Sequence, residues 1–322
     1  MPQGGCKRDC GHRRVVGPIP ATSWDGAKTT PTQGVLRRPL DFQTPLQDTL
    51  CIEVLQSVGM SLTAAARLSP RRIIKRALKR RRLADLYARN AAFSMIPEDL
   101  FVENLALAGS TGVDLGSCSV VECGVWRGGM SMAMMALLPT CPEFHLFDSF
   151  EGLPEPTAKD GQRAIDISQQ NLFIAERNYA RYDDLVREVD ARGLSHRAQI
   201  HKGWFEETVD PTKIQRPIAV LRLDGDWYAS TYLVLDRLFD RVVDNGLIII
   251  DDYFVWPGCS RAVHDFLSNR GLAETIRTTP GGLAYLRKKT SGFSESPATE
   301  AELSRRRAEV DKYKAANGDG RT

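Results

Sequence analysis

Six carboxylates, Glu122, Asp148, Asp224, Asp226, Asp251 and Asp252, stand at the C-terminal ends of short apolar, β-branched runs. In open α/β sheets, ligands bind at that edge. So many acidic groups together repel one another, so a cation must sit among them or some must hold protons. Asp224, Asp251 and Asp252 offer oxygen alone, which suits a hard divalent ion such as magnesium. Magnesium keeps open positions, here for two oxygens of a substrate. The rival reading is that each aspartate caps the helix after it. A metal lowers the pKa of a hydroxyl bound to it, and a neighbouring carboxylate can then take the proton. Asp226, two residues from Asp224, is the expected base, with His264 and His201 as alternatives.

A second feature lies around Val120 to Ser131. A β-branched run, Ser119 to Val121, leads to Glu122, and Gly124, Gly128 and Gly129 follow within the next residues. The apolar stretch Met130 to Leu138 then suits a buried helix. Strand, glycine turn and helix bring a nucleotide-like ligand to a helix N-terminus. The spacing is Glu-x-Gly-x-x-x-Gly-Gly, not the Gly-x-Gly-x-x-Gly of the dinucleotide fingerprint. It suits S-adenosylmethionine, which has no pyrophosphate to cradle but carries an amino group and a sulfonium that favour carboxylates. An ordinary tight βα turn is the competing account. Asp148 ends the next strand, 20 residues beyond Gly128, where an acidic side chain can accept ribose hydroxyls. Gly203 and Trp204 close a third strand and would sandwich an adenine, unless Trp204 is a core residue.

These residues need a scaffold. Strands are expected at 119–121, 143–147, 198–201, 218–223 and 247–250. Helices between them are expected near 174–192, 232–240 and 261–267, with a mobile loop from 157. A hairpin around Pro280-Gly281-Gly282 closes the chain. The pattern predicts an α/β fold: a doubly wound, mostly parallel sheet with an antiparallel C-terminal edge.

The residues Glu122 to Gly129, Asp148 to Gly152, Leu221 to Thr231, Ile249 to Tyr253 and Trp256 to Val263 resemble the macrocin O-methyltransferase family. The resemblance runs in order from about residue 95 to 288. It implies a seven-stranded, Rossmann-like class I methyltransferase domain using S-adenosylmethionine and magnesium. It implies that Asp224, Asp251 and Asp252 hold the metal, which chelates adjacent sugar oxygens. It also implies that Glu122, Trp126, Arg127, Ser131, Asp148 and Ser149 line the cofactor site. Some members use a late histidine as base; none follows His264 here, which favours Asp226.

The 322 residues divide into four expected parts: 1–48 disordered and not necessarily native, 49–110 helical and basic, 111–289 the methyltransferase domain, and 290–322 a polar tail. Met60 is a candidate alternative start. The expected acceptor is a small molecule or glycoside with adjacent hydroxyls; a catechol would present the same pair of oxygens. Arg71 to Arg82 allow three readings: the solvated face of a helix that packs on the core or a second subunit, contact with an anionic membrane, or contact with RNA. An RNA-directed or non-catalytic cofactor-binding protein is thus a further reading. The metal set speaks against it, and so does the lack of aromatic interleaving. A net charge of +3 argues for no particular partner. Cys6, Cys10 and His12 lack a second cysteine pair for zinc. Seven scattered cysteines and no membrane-length apolar run predict a cytoplasmic protein with free thiols. The N-terminal helices suit homodimer formation.

Overall fold

A computed structural model describes residues 70–170 and 179–289, with Ser304, Arg305, Arg307, Ala308 and Lys312 near the end. The expectations for residues 1–48, Cys6, Cys10, His12 and Met60, and for nearly all of 290–322, lie outside the described residues.

Two helices come first, α1 (Pro70–Asn90) and α2 (Glu98–Ala108). They are followed by β1 (Ser119–Cys123), α3 (Gly129–Leu137), β2 (Glu143–Asp148), α4 (Gln162–Gln169), α5 (Tyr182–Ala191), β3 (Ala198–Lys202) and α6 (Phe205–Thr208). The chain continues through β4 (Ile218–Leu223), α7 (Tyr228–Leu238), β5 (Val242–Ile250), α8 (Pro257–Asn269), β6 (Arg277–Thr278) and β7 (Ala284–Arg287). The strands form one sheet in the order β3-β2-β1-β4-β5-β7-β6. β1 to β5 pair in parallel, and β7 is antiparallel to both β5 and β6. The order reverses between β1 and β4, so a crevice opens there at the carboxyl edge. This is the seven-stranded, mostly parallel architecture expected.

Alternation along the strands divides the core. Val120, Phe144, Leu146, Val220, Leu247 and Ile249 pack on one face, with α1, α2 and α3. Val121, Cys123, Phe147, Leu221, Ile248 and Ile250 pack on the other, with α7 and α8. The basic helix is integral to this arrangement, because Leu83 of α1 is buried in the first cluster. Ile74 and Leu78 of the same helix are exposed. Cys118, Cys123, Cys141 and Cys259 are free and buried. Among the described residues no helix is long and apolar enough to cross a membrane.

Besides the earlier starts of α7 at Tyr228 and α8 at Pro257, three elements differ from the sequence reading. β5 starts at Val242 rather than 247, because Asp244, Asn245 and Gly246, despite their turn-like composition, form an irregularity inside the strand. Asn245 takes a positive φ of 62° there, as asparagine tolerates. α4 occupies part of the expected mobile loop. Asp160, 1% exposed, fixes its approach by accepting from the Tyr228 backbone N–H at 2.6 Å and from Thr157. The helix expected at 174–192 starts only at Tyr182, because 179–181 are not helical and Arg181 is extended, while 171–178 lie outside the described residues.

His201, one alternative base, is committed elsewhere. It stacks on Phe147 with ring centroids 4.2 Å apart and meets His145 Nδ1 through Nε2 at 3.0 Å. Burial, with His145 and Lys213 nearby, lowers its pKa from 6.5 to about 4. The unfolded chain therefore takes up this proton first on acidification. The stability from burying a neutral His201 is complete above about 6.5 and is lost as the pH falls toward 4. His201→Phe should flatten the fall of Tm across that window. Burial also holds His145 low, so part of the slope should remain. A melting series from pH 7.5 to 4 checks this, and an unchanged slope would refute it.

Candidate active site

The crevice at the carboxyl edge is a cavity of about 390 Å³. Its wall contains Gly124 and Trp126 after β1, Asp148 and Ser149 at the end of β2, and Trp204 after β3. It also contains Asp224, Gly225 and Asp226 after β4, with Asp251 and Asp252 after β5. Met95, Ile96, Pro97 and Leu100, at the start of α2, close one side, and Leu153, Pro154, Phe205 and Val255 add further apolar wall. Leu153, Pro154 and Phe205 lie in stretches the sequence places at this edge, whereas Met95, Ile96, Pro97, Leu100 and Val255 carry no motif, and only the fold reveals that they belong to the site.

One carboxylate oxygen from each of Asp224, Asp251 and Asp252 lies within 4.8 Å of the others. Each aspartate uses its other interactions sparingly. Asp224 Oδ2 accepts from Arg222 Nη1 at 2.8 Å, and Asp251 Oδ1 from Arg222 Nη2 at 2.6 Å and Asn104 Nδ2 at 3.3 Å. Asp252 Oδ2 accepts from the Asp226 backbone N–H at 3.0 Å. The second oxygen of each has no protein donor among the described residues, so three hard ligands converge with capacity to spare. That donor set fits magnesium.

The sequence calls for a cation among the carboxylates or for protons on some of them, and the chain itself supplies a cation. Arg222, fully buried on β4, pairs with Glu122, Asp224 and Asp251. Burial opposes its charge, but these three carboxylates outweigh burial and raise its pKa well above normal. A lone arginine inside the apolar run Ile218 to Leu223 was the signal available in the sequence. Burial pushes Asp224 up to about 6 against the pull of Arg222. Asp226 rises to about 7 through burial and repulsion from Asp224. Asp252 is held well above the carboxylate range, again mainly by burial.

Asp226 adopts a positive φ of 55°, and its Oδ1 accepts from the Trp256 indole N–H at 2.9 Å. Trp126 and Phe150 are also left-handed, at 49° and 56°. Three of the loops that rim the sheet edge thus carry a strained residue, as binding sites often do. His264, the other alternative base, is bound to the Tyr253 hydroxyl at 2.9 Å. Neither His264 nor His201 lines the cavity.

The expected cofactor residues divide. Gly124, Trp126, Asp148, Ser149 and Trp204 line the cavity. The Trp126 indole N–H is buried without an acceptor among the described residues. An unpaired buried donor costs about 1–3 kcal/mol, which a cofactor acceptor would recover. Asp148 is already occupied by backbone: Oδ2 accepts from Val125 and Trp126 at 2.9 and 2.8 Å, and Oδ1 from Phe150 at 2.7 Å. It ties two loops together, and only its remaining lone pairs could meet a ribose.

Glu122, Arg127, Ser131 and Gly203 do not line the cavity. Arg127 is exposed and lies 4.4 Å over the Trp126 ring, because the turn points its side chain outward. Glu122 and Ser131, 2% and 1% exposed, bind one another beneath the site. Gly203 instead donates its N–H to the Asp148 carbonyl at 3.0 Å. Gly124 takes φ 91°, and a Cβ there would stand 1.7 Å from the Asp224 carbonyl oxygen. Its lack of a side chain therefore lets the loops after β1 and β4 touch.

Comparison with known proteins bears on this geometry. Residues 52–288 match the family described as Macrocin-O-methyltransferase (TylF), a span that includes the basic helix the motifs left out. The 8-demethyl-8-(2,3-dimethoxy-alpha-L-rhamnosyl)-tetracenomycin-C 4'-O-methyltransferase of Streptomyces olivaceus is 35% identical over 196 residues, 56% of this chain and 70% of that protein. The mycinamicin III 3''-O-methyltransferase of Micromonospora griseorubida is 33% identical over 175 residues, 49% of this chain and 63% of that protein. The chain thus spans a little under two thirds of the second relative. A solved structure, the O-methyltransferase NovP, aligns with a TM-score of 0.54 at 26% identity, covering 61% of this chain and 82% of that one.

Proposed function

Because the chain belongs to the macrocin-O-methyltransferase family of S-adenosylmethionine-dependent enzymes, we propose that it methylates one hydroxyl of a vicinal diol, with magnesium, on a glycosyl group of a natural product or polysaccharide. The observation that carries this is the convergence of Asp224, Asp251 and Asp252 on one cavity that also contains Trp126, Asp148 and Ser149. When bound, magnesium would acidify a coordinated hydroxyl, and S-adenosylmethionine would supply the methyl group.

The chain's residues would do the rest. Asp224, Asp251 and Asp252 give the oxygen ligands, and Asp226 takes the proton of the acceptor hydroxyl. Trp126, Asp148, Ser149 and Trp204 hold the cofactor. Met95, Ile96, Leu100 and Val255 exclude water and cover the acceptor. A protein named for methylating a rhamnosyl group of tetracenomycin supports a glycosyl acceptor over a catechol. No lysine or arginine lines the cavity among the described residues, which disfavours a polyanion such as RNA.

Calorimetric titration of S-adenosylmethionine and of magnesium into the wild type and the Asp251→Asn, Asp252→Asn double variant tests the reading. Both proteins should bind the cofactor, and only the wild type the metal. Methyl transfer to a diol-bearing glycoside should fall about 100-fold or more, since metal activation supplies several kcal/mol. Magnesium binding to neither protein, or to both alike, would remove the metal from the mechanism.

A further inference from the structure

Glu122 and Arg222 are register partners on the adjacent strands β1 and β4, near the middle of the sheet. Both side chains are buried at the level beneath the cavity floor. Arg222 uses its planar fork in four directions. Nη1 donates to Glu122 Oε1 and to Asp224 Oδ2, both at 2.8 Å, Nη2 to Asp251 Oδ1 at 2.6 Å, and Nε to Asn104 Oδ1 at 3.0 Å. Asp224 and Asp251 thus each give one oxygen to the same rigid plane, which fixes the direction of the other. Glu122 and Asn104 grip the guanidinium from two further sides, and the Ser131 hydroxyl donates to Glu122.

We infer that Arg222, clamped by Glu122 and Asn104, is the positioning residue of the metal site, so that Glu122 serves the metal ligands rather than the cofactor. The inference rests on the magnesium reading above. Partners that orient metal ligands are worth roughly 10–100-fold in metal affinity. A guanidinium reaches two carboxylates in one fixed geometry, which the single ammonium of lysine cannot reproduce.

The test uses the full chain as wild type, Glu122→Gln and Arg222→Lys. Manganese binding is followed by electron paramagnetic resonance and magnesium binding by calorimetry. S-adenosylhomocysteine affinity and melting are measured on the same samples. Both variants should lose roughly 10–100-fold in metal affinity while S-adenosylhomocysteine affinity stays within about twofold. Arg222→Lys keeps the charge, so metal binding equal to wild type would reduce the arginine to a counter-charge and overturn the positioning role. Cofactor affinity lost in Glu122→Gln with metal affinity intact would return Glu122 to the cofactor site. If Arg222→Lys does not fold, the near-isosteric Glu122→Gln still decides the matter. A wild type that binds the cofactor but no metal removes the premise itself, a result read without any variant.

Discussion

Asp226→Asn is expected to lower kcat by roughly 10²- to 10⁴-fold, the usual worth of a positioned proton acceptor, with cofactor and magnesium affinities retained. The substitution suits the site. Asparagine tolerates the left-handed backbone that Asp226 adopts at φ 55°. Its amide oxygen can still accept from the Trp256 indole, which stands 2.9 Å from Asp226 Oδ1. The contact to Asp252 comes from the backbone N–H and does not depend on the side chain. What the variant removes is the basic oxygen. Single-turnover rates with a diol-bearing glycoside, measured beside calorimetric affinities, give the answer. An undiminished rate would exclude Asp226 as base. Parallel losses of rate and of magnesium affinity would instead place it among the groups that support the metal.

Gly124→Ala should have the largest effect on stability. The added Cβ would lie 1.7 Å from the Asp224 carbonyl oxygen, at a φ of 91° that alanine adopts only with strain. Neither side can retreat easily. Gly124 donates its N–H to the Phe147 carbonyl at 2.8 Å, and Asp224 donates its own to the Cys123 carbonyl at 2.9 Å. Overpacking and strain together should cost about 3 kcal/mol or more, a large share of the roughly 5–15 kcal/mol that holds a folded domain. Urea unfolding would show a lowered midpoint, and cofactor and metal binding should fail together because the clash displaces both loops. Wild-type stability with only the cofactor lost would show that the glycine serves ligand approach instead.

Much of the scaffold was legible from local pattern. Apolar runs buried on both faces fixed β1, β2 and β4, and the alternation with helices fixed a doubly wound sheet. The switch from run to carboxylate placed Asp148, Asp224, Asp226, Asp251 and Asp252 at one edge, because every parallel strand of such a sheet ends on the same side. Errors arose where local chemistry was ambiguous. Asp244-Asn245-Gly246 has turn composition, yet the Asn245 N–H donates to the Lys288 carbonyl at 2.8 Å and the Gly246 carbonyl accepts from the Lys288 N–H at 3.0 Å, which carries the strand through it. Asp160 had no motif, and its role appears only when the N-terminus of α7 arrives beside it.

The sequence alone determined the fold class, the edge at which the cavity opens and the aspartates gathered there, since each depends on periodicity within a few residues. The tertiary structure decided how those groups divide the work. Glu122 faces Arg222 rather than the cavity because β1 and β4 are neighbours in a register that sets residue 122 beside residue 222. Asp148 is engaged by amides of a loop more than 20 residues earlier. The apolar wall from Met95 to Leu100 exists only because α2 packs over the end of the sheet. Hydrogen bonds and ion pairs act over a few ångströms, so partners separated by a hundred residues, such as Asn104 and Arg222, are chosen by strand order and register.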